Sequence, residues 1–337
     1  MRQLTFIEPR RLEWWEVEEP GLEGDSEALV RPLAVSTCDL DSAIVHGRAP
    51  FQGPFPFGHE CVAEVVEFGG DADDLRAGNL VSVPFQISCG ECEKCKAGHT
   101  GNCASVPRLS MYGLGPMGGE WGGFLSDLVR VPYARAMLVP LPEGASPEAA
   151  ASVSDNVSDG WRTVAPHLAE RPGAEVLVVG GTPSLGLYAA QIAVALGASR
   201  VDYVDTGMRL ERAARFGVNP IEGPPPKRLG PYPITVNASM DREGLACALR
   251  STEPDGVCTS AGFLFEPETP VPLLEMYTDG ITFHTGRVHA RSAMPDVLRL
   301  VGEGKLDPSE VTTQVVPWDE ADAALAEHRS KTVVSRL

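Results

Sequence analysis

Between about residues 174 and 262 the chain alternates short apolar runs with amphipathic stretches. AEVLVVGG reads as a buried strand, SLGLYAAQIAVALGA as a helix, SRVDYVD as a strand, RLERAARFG as a helix, YPITVNAS as a strand, EGLACALRS as a helix and GVCTSAGF as a strand. Neighbouring parallel strands cannot be joined by a tight turn, so this alternation predicts a parallel sheet with crossover helices on its faces. One crossover departs from the pattern. In EGPPPKRLGPYP the prolines forbid a regular helix, and a shortened or irregular connection is expected there.

The rest of the chain has a different texture. From the N-terminus to about Pro142 it is rich in Gly, Pro and short apolar runs such as CVAEVVEFG and NLVSVPF, which predicts short strands and turns in a mainly β domain. After Pro147, EAAASVSDNVSDGWRTVAPHLA predicts one helix leading into the first strand of the alternating region. From about Arg287 the chain has one more helix, SAMPDVLRLVGEG, and then TTQVVPWDEADAALAEHRSKTVVSRL. A length of 337 residues accommodates two domains with cores of their own. The net charge of −18 repels phosphate backbones and anionic lipid, which argues against nucleic-acid and membrane partners. No run approaches the roughly 20 apolar residues of a membrane helix. The start, MRQLTFIEPRRLEWWEVEEP, lacks the apolar core of a signal peptide, so the expected location is cytoplasmic.

Four of the eight cysteines, Cys89, Cys92, Cys95 and Cys103, fall within one short segment. Without an export signal, such clustering favours metal binding over disulfides. Gly90, Gly98 and Gly101 let the segment wrap around a tetrahedral ion. Four thiolates leave no open coordination position, so a zinc ion here is structural. A second constellation is more dispersed: Cys38 in STCDLD, and His59 with Glu60 after the turn-forming GPFPF. A Cys, a His and a carboxylate around an ion with one open position form a catalytic zinc site, in which the ion polarises a carbonyl or acidifies an alcohol. Each residue alone is weak evidence for such a site.

Taken in order, STCDLDSAIVHG, FPFGHECVAEVVEFG, ISCGECEKCKAGHTGNC and VLVVGGTPSLGLYAAQIAVALGA resemble successive signatures of the zinc-dependent medium-chain dehydrogenases. The resemblance covers most of the chain. It implies an α/β protein: a GroES-like β catalytic domain from residues 1 to 150, with a structural zinc lobe at about 86–105, completed by residues 287–337, and a Rossmann NAD-binding domain from 151 to 286. It also implies that Cys38 and His59 ligate a catalytic zinc, that Glu60 lies beside the metal or exchanges onto it, and that Asp41 hydrogen-bonds His59 and fixes its tautomer. Asp155, in SDNVSDGW, occupies the place of the third ligand, and this Asp form resembles the bacterial secondary-alcohol dehydrogenase branch. A homodimer or homotetramer is implied as well.

Gly181-x-Pro183-x-x-Gly186 lies between a strand and a helix, the context of a dinucleotide fingerprint, although Pro183 replaces a glycine and removes an N–H donor. Asp205, 19 residues after Gly186, ends the next strand, where a carboxylate holds the adenosine ribose and repels the 2′-phosphate of NADP; NAD is therefore expected. Arg209 is placed to cover the ribose or phosphate, or is a solvated charge. Cys61, Cys247 and Cys258 read as core residues. Phe51, Phe55, Tyr112 and Trp121 are candidates for a pocket wall or for core.

The expected reaction is hydride transfer between NAD(H) and an alcohol or polyol, or its carbonyl, at a zinc-containing site. Two alternatives stand beside it: a zinc-bearing reductase of iminium or conjugated carbon–carbon double bonds, and a nicotinamide-binding protein without catalysis. The family's proton relay commonly begins with a hydroxyl two residues after the zinc cysteine, where this chain has Leu40, and continues to a histidine that aligns with Ala43. Neither residue moves a proton. Asp159, four residues after Asp155, is the candidate replacement, either as a base or as a ligand of the nicotinamide ribose or amide.

Overall fold

β-branched and apolar residues build the centre of an all-parallel six-stranded sheet in the order Asn219–Glu222, Val201–Asp205, Val176–Val179, Tyr232–Asn237, Thr252–Ser260, Thr282–Thr285. Val176–Val179 is buried throughout, as a strand covered on both faces must be. The chain first winds outward from this strand on one side and then returns to wind outward on the other. This is the doubly wound Rossmann order. Its break lies at the carboxyl ends of Val176–Val179, Val201–Asp205 and Tyr232–Asn237, where sheets of this kind receive ligands. The computed structural model describes residues 1–70, 75–327 and 331–337. By internal packing the chain divides into two units, Met1–Ser158 with His289–Leu337, and Asp159–Val288.

In the first unit, seven strands form a mainly antiparallel sheet. Gln314–Pro317, Thr332–Ser335, Ala28–Ser36, Glu60–Phe68, Leu80–Val83 and Val139–Pro140 run in that order, and Val129–Val131 also pairs with Ala28–Ser36. The strand Thr332–Ser335 pairs antiparallel with the end of Ala28–Ser36, so the C-terminal stretch is part of this sheet. Three further strands, Arg11–Glu16, Arg2–Glu8 and Phe55–Pro56, form a small second sheet. Phe6, Phe55 and Phe57 pack against one another with ring centroids 5.0 to 6.4 Å apart. Among the described residues no helix is long and apolar enough to cross a membrane.

The structure corrects the sequence reading in three places. EAAASVSDNVSDGWRTVAPHLA is not one helix. Pro147–Ala150 is α-helical, Ala151–Ser154 tightens to a 3-10 turn, Asp155 leaves helical geometry at φ −147° and ψ −85°, and a new helix runs over Asn156–Glu170. Side chains of the turn bond outward to the β-sheet: Ser154 Oγ accepts the Cys61 N–H at 2.8 Å, and Ser152 Oγ bonds Ser36 Oγ at 2.9 Å. Secondly, an exposed strand, Asn219–Glu222, that the sequence reading lacked precedes the proline-rich crossover, which itself carries no helix, as its prolines require. Thirdly, the helix Leu273–Asp279 and the edge strand Thr282–Thr285 follow the last strand read from the sequence. Both added strands are largely exposed, so they lack the apolar alternation that marks a half-buried strand.

Gly180 packs tightly beneath the sheet break. A Cβ there would lie 2.6 Å from the Tyr203 hydroxyl and collide with the Asp205 carboxylate. Gly180→Ala should therefore lower unfolding stability by about 1–3 kcal/mol through overpacking. Gly24→Ala, with nothing within 4 Å, should change it little. Urea titrations of the two variants check this.

Candidate metal centre and dinucleotide site

Cys38 is the N-cap of the helix Asp39–Val45. Its Sγ accepts the Leu40 N–H at 3.2 Å, and its own N–H donates to Asp41 Oδ2 at 2.8 Å. This capping arrangement turns the second Asp41 oxygen, Oδ1, toward His59 Nδ1 at 3.5 Å. Both atoms are buried, and neither has a hydrogen-bond partner. The hydrogen bond expected between Asp41 and His59 is thus not closed, although the two atoms face each other at ion-pair distance, and His59 Nε2 lies on the other side, 3.4 Å from Asp155 Oδ2. The ligand atoms of Cys38, His59 and Asp155 all lie within 4.8 Å of one another. Sulfur, nitrogen and oxygen donors converging at that spacing suit a zinc ion with a fourth position open.

The charges support the same reading. Burial, reinforced by the Asp41 and Asp155 carboxylates, pushes the Cys38 thiol well above its usual pKa. Burial by itself would lower His59, but Asp41 and Asp155 outweigh it and hold the imidazolium up to about 9. The cluster thus retains protons in the place of a cation.

Glu60 is not part of this ligand set. Its Oε2 accepts from Lys331 Nζ at 2.6 Å and its Oε1 from the Asn156 N–H at 3.1 Å, with both charged side chains essentially inaccessible to solvent. Burial raises the Glu60 carboxyl, and the charge of Lys331 opposes that rise. Lys331 was not singled out from the sequence, because nothing in SKTVVSRL marks a lysine that will be buried. Phe85 was also missed; its ring centroid lies 5.7 Å from that of His59.

The four-cysteine lobe brings Cys89, Cys92, Cys95 and Cys103 within 4.8 Å of one another. N–H groups of Cys89, Cys92, Ala104 and Ser105 each point at a sulfur of this group at 3.4 Å. Donors aimed at sulfur suit thiolates, and the backbone N–H groups of Ala104 and Cys95 bring Cys92 down to about 6. The lobe is tied to the helix Ala290–Gly302: Ser292 Oγ donates to Gly98 O at 2.6 Å and the Gly101 N–H to His289 Nδ1 at 3.1 Å.

In the Rossmann unit, Gly181 has φ +132° and would bring a Cβ within 3.1 Å of Ser239 Cα; Gly186 lies equally close to Ala238 and Tyr203. Pro183 precedes the helix Leu185–Ala195, whose N-cap is Ser184. Gly180, outside the motif as read, is crowded in the same way by Tyr203 and Asp205, so all three glycines permit the close strand-to-helix packing of a dinucleotide fingerprint turn. Asp205 lies at the end of the neighbouring strand and is bonded on both oxygens, with Arg209 among its donors.

Of the remaining candidates, Asp159 is ion-paired with Arg162 on the next helical turn. Leu40 is half-buried and Ala43 is buried. Phe55 and Tyr112 belong to the core, with the Tyr112 hydroxyl donating to Arg130 O at 2.8 Å. Phe51 and Trp121 are half-buried, and Cys61, Cys247 and Cys258 are core residues.

Lys331→Met should strand a buried carboxylate and destabilise the protein by about 3–5 kcal/mol, whereas Lys331→Met with Glu60→Gln should recover most of that loss. Denaturant titration of the double-mutant cycle is the check.

Residues 24–143 match the model of the alcohol dehydrogenase GroES-like domain. A protein of Mycobacterium tuberculosis named a probable zinc-binding alcohol dehydrogenase is 29% identical over 322 residues, 93% of this chain and 82% of the relative. L-galactonate-5-dehydrogenase of Escherichia coli is 28% identical over 350 residues, 99% of this chain and 96% of the relative. Among solved structures, alcohol dehydrogenase TADH from Thermus sp. ATN1 is 30% identical and superposes with a TM-score of 0.87 over 99% of both chains. The GroES-like segment, the doubly wound sheet and this end-to-end likeness establish the chain as an oxidoreductase of the zinc-dependent medium-chain dehydrogenase/reductase family, the family of the zinc-type alcohol dehydrogenases.

Proposed function

We propose that this protein is an NAD-dependent dehydrogenase of an alcohol or polyol, with a catalytic zinc at Cys38, His59 and Asp155 and a structural zinc at Cys89, Cys92, Cys95 and Cys103. The observation that carries the reading is the convergence of Cys38, His59 and Asp155 within 4.8 Å, buried, with three chemically distinct donors. The likeness to L-galactonate-5-dehydrogenase over 96% of its length supports a polyhydroxylated substrate. A homodimer or homotetramer is part of the proposal.

Zinc at this position supplies Lewis acidity toward the substrate oxygen, and the nicotinamide supplies the hydride chemistry. The chain's own residues set the conditions for both. Asp41 faces His59 Nδ1, which leaves Nε2 to ligate. Lys331 and the Asn156 N–H occupy both oxygens of Glu60, which favours a fourth position kept for substrate over one filled by Glu60. Asp205 offers acceptors to a ribose diol and repulsion to a 2′-phosphate. Leu40 contributes no proton, so we assign the proton-transfer step to Asp159, whose carboxylate is held by Arg162. The missing hydroxyl at residue 40 also favours a second reading, a reductase of iminium or conjugated double bonds, for which that relay is dispensable.

Zinc analysis tests the metal assignment. The parent should carry two zinc ions per chain, Asp155→Ala one with activity lost, and Cys95→Ser a destabilised lobe. An active Asp155→Ala protein with two zincs would place another ligand in the site, Glu60 first.

A zinc-replete screen of alcohols, polyols including L-galactonate, aldehydes, iminium and enone substrates with NAD(H) and NADP(H) tests the reaction. Oxidation of an alcohol or polyol supports the proposal, and turnover confined to iminium or enone substrates favours the second reading. No turnover on any class would favour the non-catalytic alternative. On the best alcohol, Asp159→Asn should change the pH–rate profile while NADH affinity, measured separately, is maintained. An unchanged profile and rate would remove Asp159 from the mechanism.

A further inference from the structure

The Asp205 carboxylate is saturated before any cofactor arrives. Oδ2 accepts from the Gly181 N–H at 3.0 Å, the Tyr203 hydroxyl at 3.0 Å and Arg209 Nε at 2.8 Å. Oδ1 accepts from the Thr206 N–H at 2.7 Å and from an Arg209 terminal nitrogen at 2.7 Å. A carboxylate offers about four lone-pair sites, so these five donors leave none for a ribose hydroxyl.

The donors differ in their ability to leave. Two are backbone N–H groups. The third belongs to Tyr203, which is wholly buried and wedged against Gly180 and Gly186. Arg209 is different: it sits in the first turn of the helix Met208–Ala214, and its side chain is 36% exposed, against 4% for Asp205. A guanidinium that is partly open to solvent has a way out of the pair, whereas the other donors cannot move without disturbing the sheet end. A ribose diol therefore reaches Asp205 only by taking the places that Arg209 holds.

We propose that Arg209 is a specificity-determining latch on Asp205, competing with the adenosine ribose in the free protein and, once displaced, offering its guanidinium to a 2′-phosphate. The inference rests on the reading of Asp205 as the ribose ligand. Two effects follow. The charge with which Asp205 repels a 2′-phosphate is neutralised by a bidentate partner, and that same partner has the planar fork that suits phosphate oxygens. Asp205 alone would discriminate strongly against NADP. The Asp205–Arg209 pair narrows the margin and leaves the protein with measurable NADP binding beside its NAD preference. Tyr203 and the Gly181 N–H keep the carboxylate aimed at the same place whether the latch is open or closed.

The test is direct binding, with no turnover required. Dissociation constants of NADH and NADPH are measured by fluorescence on the zinc-loaded parent, Arg209→Gln, Asp205→Asn and the double variant, with melting curves confirming that each is folded. Arg209→Gln removes a half-buried charge but keeps a polar side chain, and Asp205 retains the Gly181, Tyr203 and Thr206 donors, so the fold should be retained. Its NADPH affinity should fall about tenfold, the loss expected for one charge-assisted hydrogen-bonded contact. NADH affinity should hold or rise, so that discrimination in favour of NADH widens by about the same factor. In the Asp205→Asn background the same Arg209 substitution should affect NADH binding much less, because the latch has lost its partner. If Asp205→Asn shifts the NADH:NADPH ratio but Arg209→Gln leaves it unchanged or moves it toward NADPH, the latch is overturned while the ribose assignment stands. If Asp205→Asn is folded and leaves the ratio unchanged, the ribose assignment fails, and the latch with it.

Discussion

Charge buried around a single point governs the catalytic unit. Cys38, Asp41, Glu60 and Asp155 are each at most 8% exposed and each carries negative charge when ionised; Lys331, 1% exposed, is the basic side chain paired with Glu60 among them. Isolated ions are very expensive to bury, and a protein answers by protonating them or by supplying counter-charge. Both answers are represented here: Lys331 pairs with Glu60, while burial favours the Cys38 thiol and the Asp41 and Asp155 carboxylates favour protonated His59. A divalent ion held by Cys38, His59 and Asp155 would replace those protons and so couple metal binding to folding. The surrounding architecture serves this arrangement. A helix cap presents Cys38, a helix break presents Asp155, the strand Glu60–Phe68 starts at Glu60, and Lys331 sits just before the strand Thr332–Ser335.

What was legible in the sequence is what local chemistry determines. The four-cysteine lobe could be read because its ligands, glycines and N–H donors all come from one short segment. The parallel sheet could be read because its central strands are buried almost throughout and so appear as short runs rich in apolar and β-branched residues, uninterrupted in VLVV. The helix break at Asp155 was not legible. Its causes are the bonds of Ser154 to Cys61 and of Glu60 to Asn156, which join positions 93 and 96 residues apart. Lys331 was hidden for the same reason, as were the exposed edge strands, which are held by backbone pairing and carry no side-chain pattern.

The departures from the family pattern fall where the backbone does the work. Leu40 lacks a hydroxyl, yet its N–H still donates to Cys38 Sγ, a bond indifferent to the side chain. Pro183 lacks an N–H, yet it lies at a helix entrance, where that donor has no intrahelical partner. Both substitutions can alter chemistry at the site without disturbing the geometry that supports it.

The pairing of Lys331 with Glu60 spans 271 positions, and the strand following Lys331 closes the sheet against Ala28–Ser36. On a ribosome that order has a consequence. The strand Ala28–Ser36 emerges early, and although Val129–Val131 covers its Ala28–Val30 end, its Ala34–Ser36 end waits unpaired while the whole Rossmann unit is translated. For that interval the nascent chain displays an open β-edge and a glutamate destined for the interior without its counter-ion. The Glu60–Lys331 pair and the last antiparallel pairing of this sheet are thus completed only at the end of synthesis.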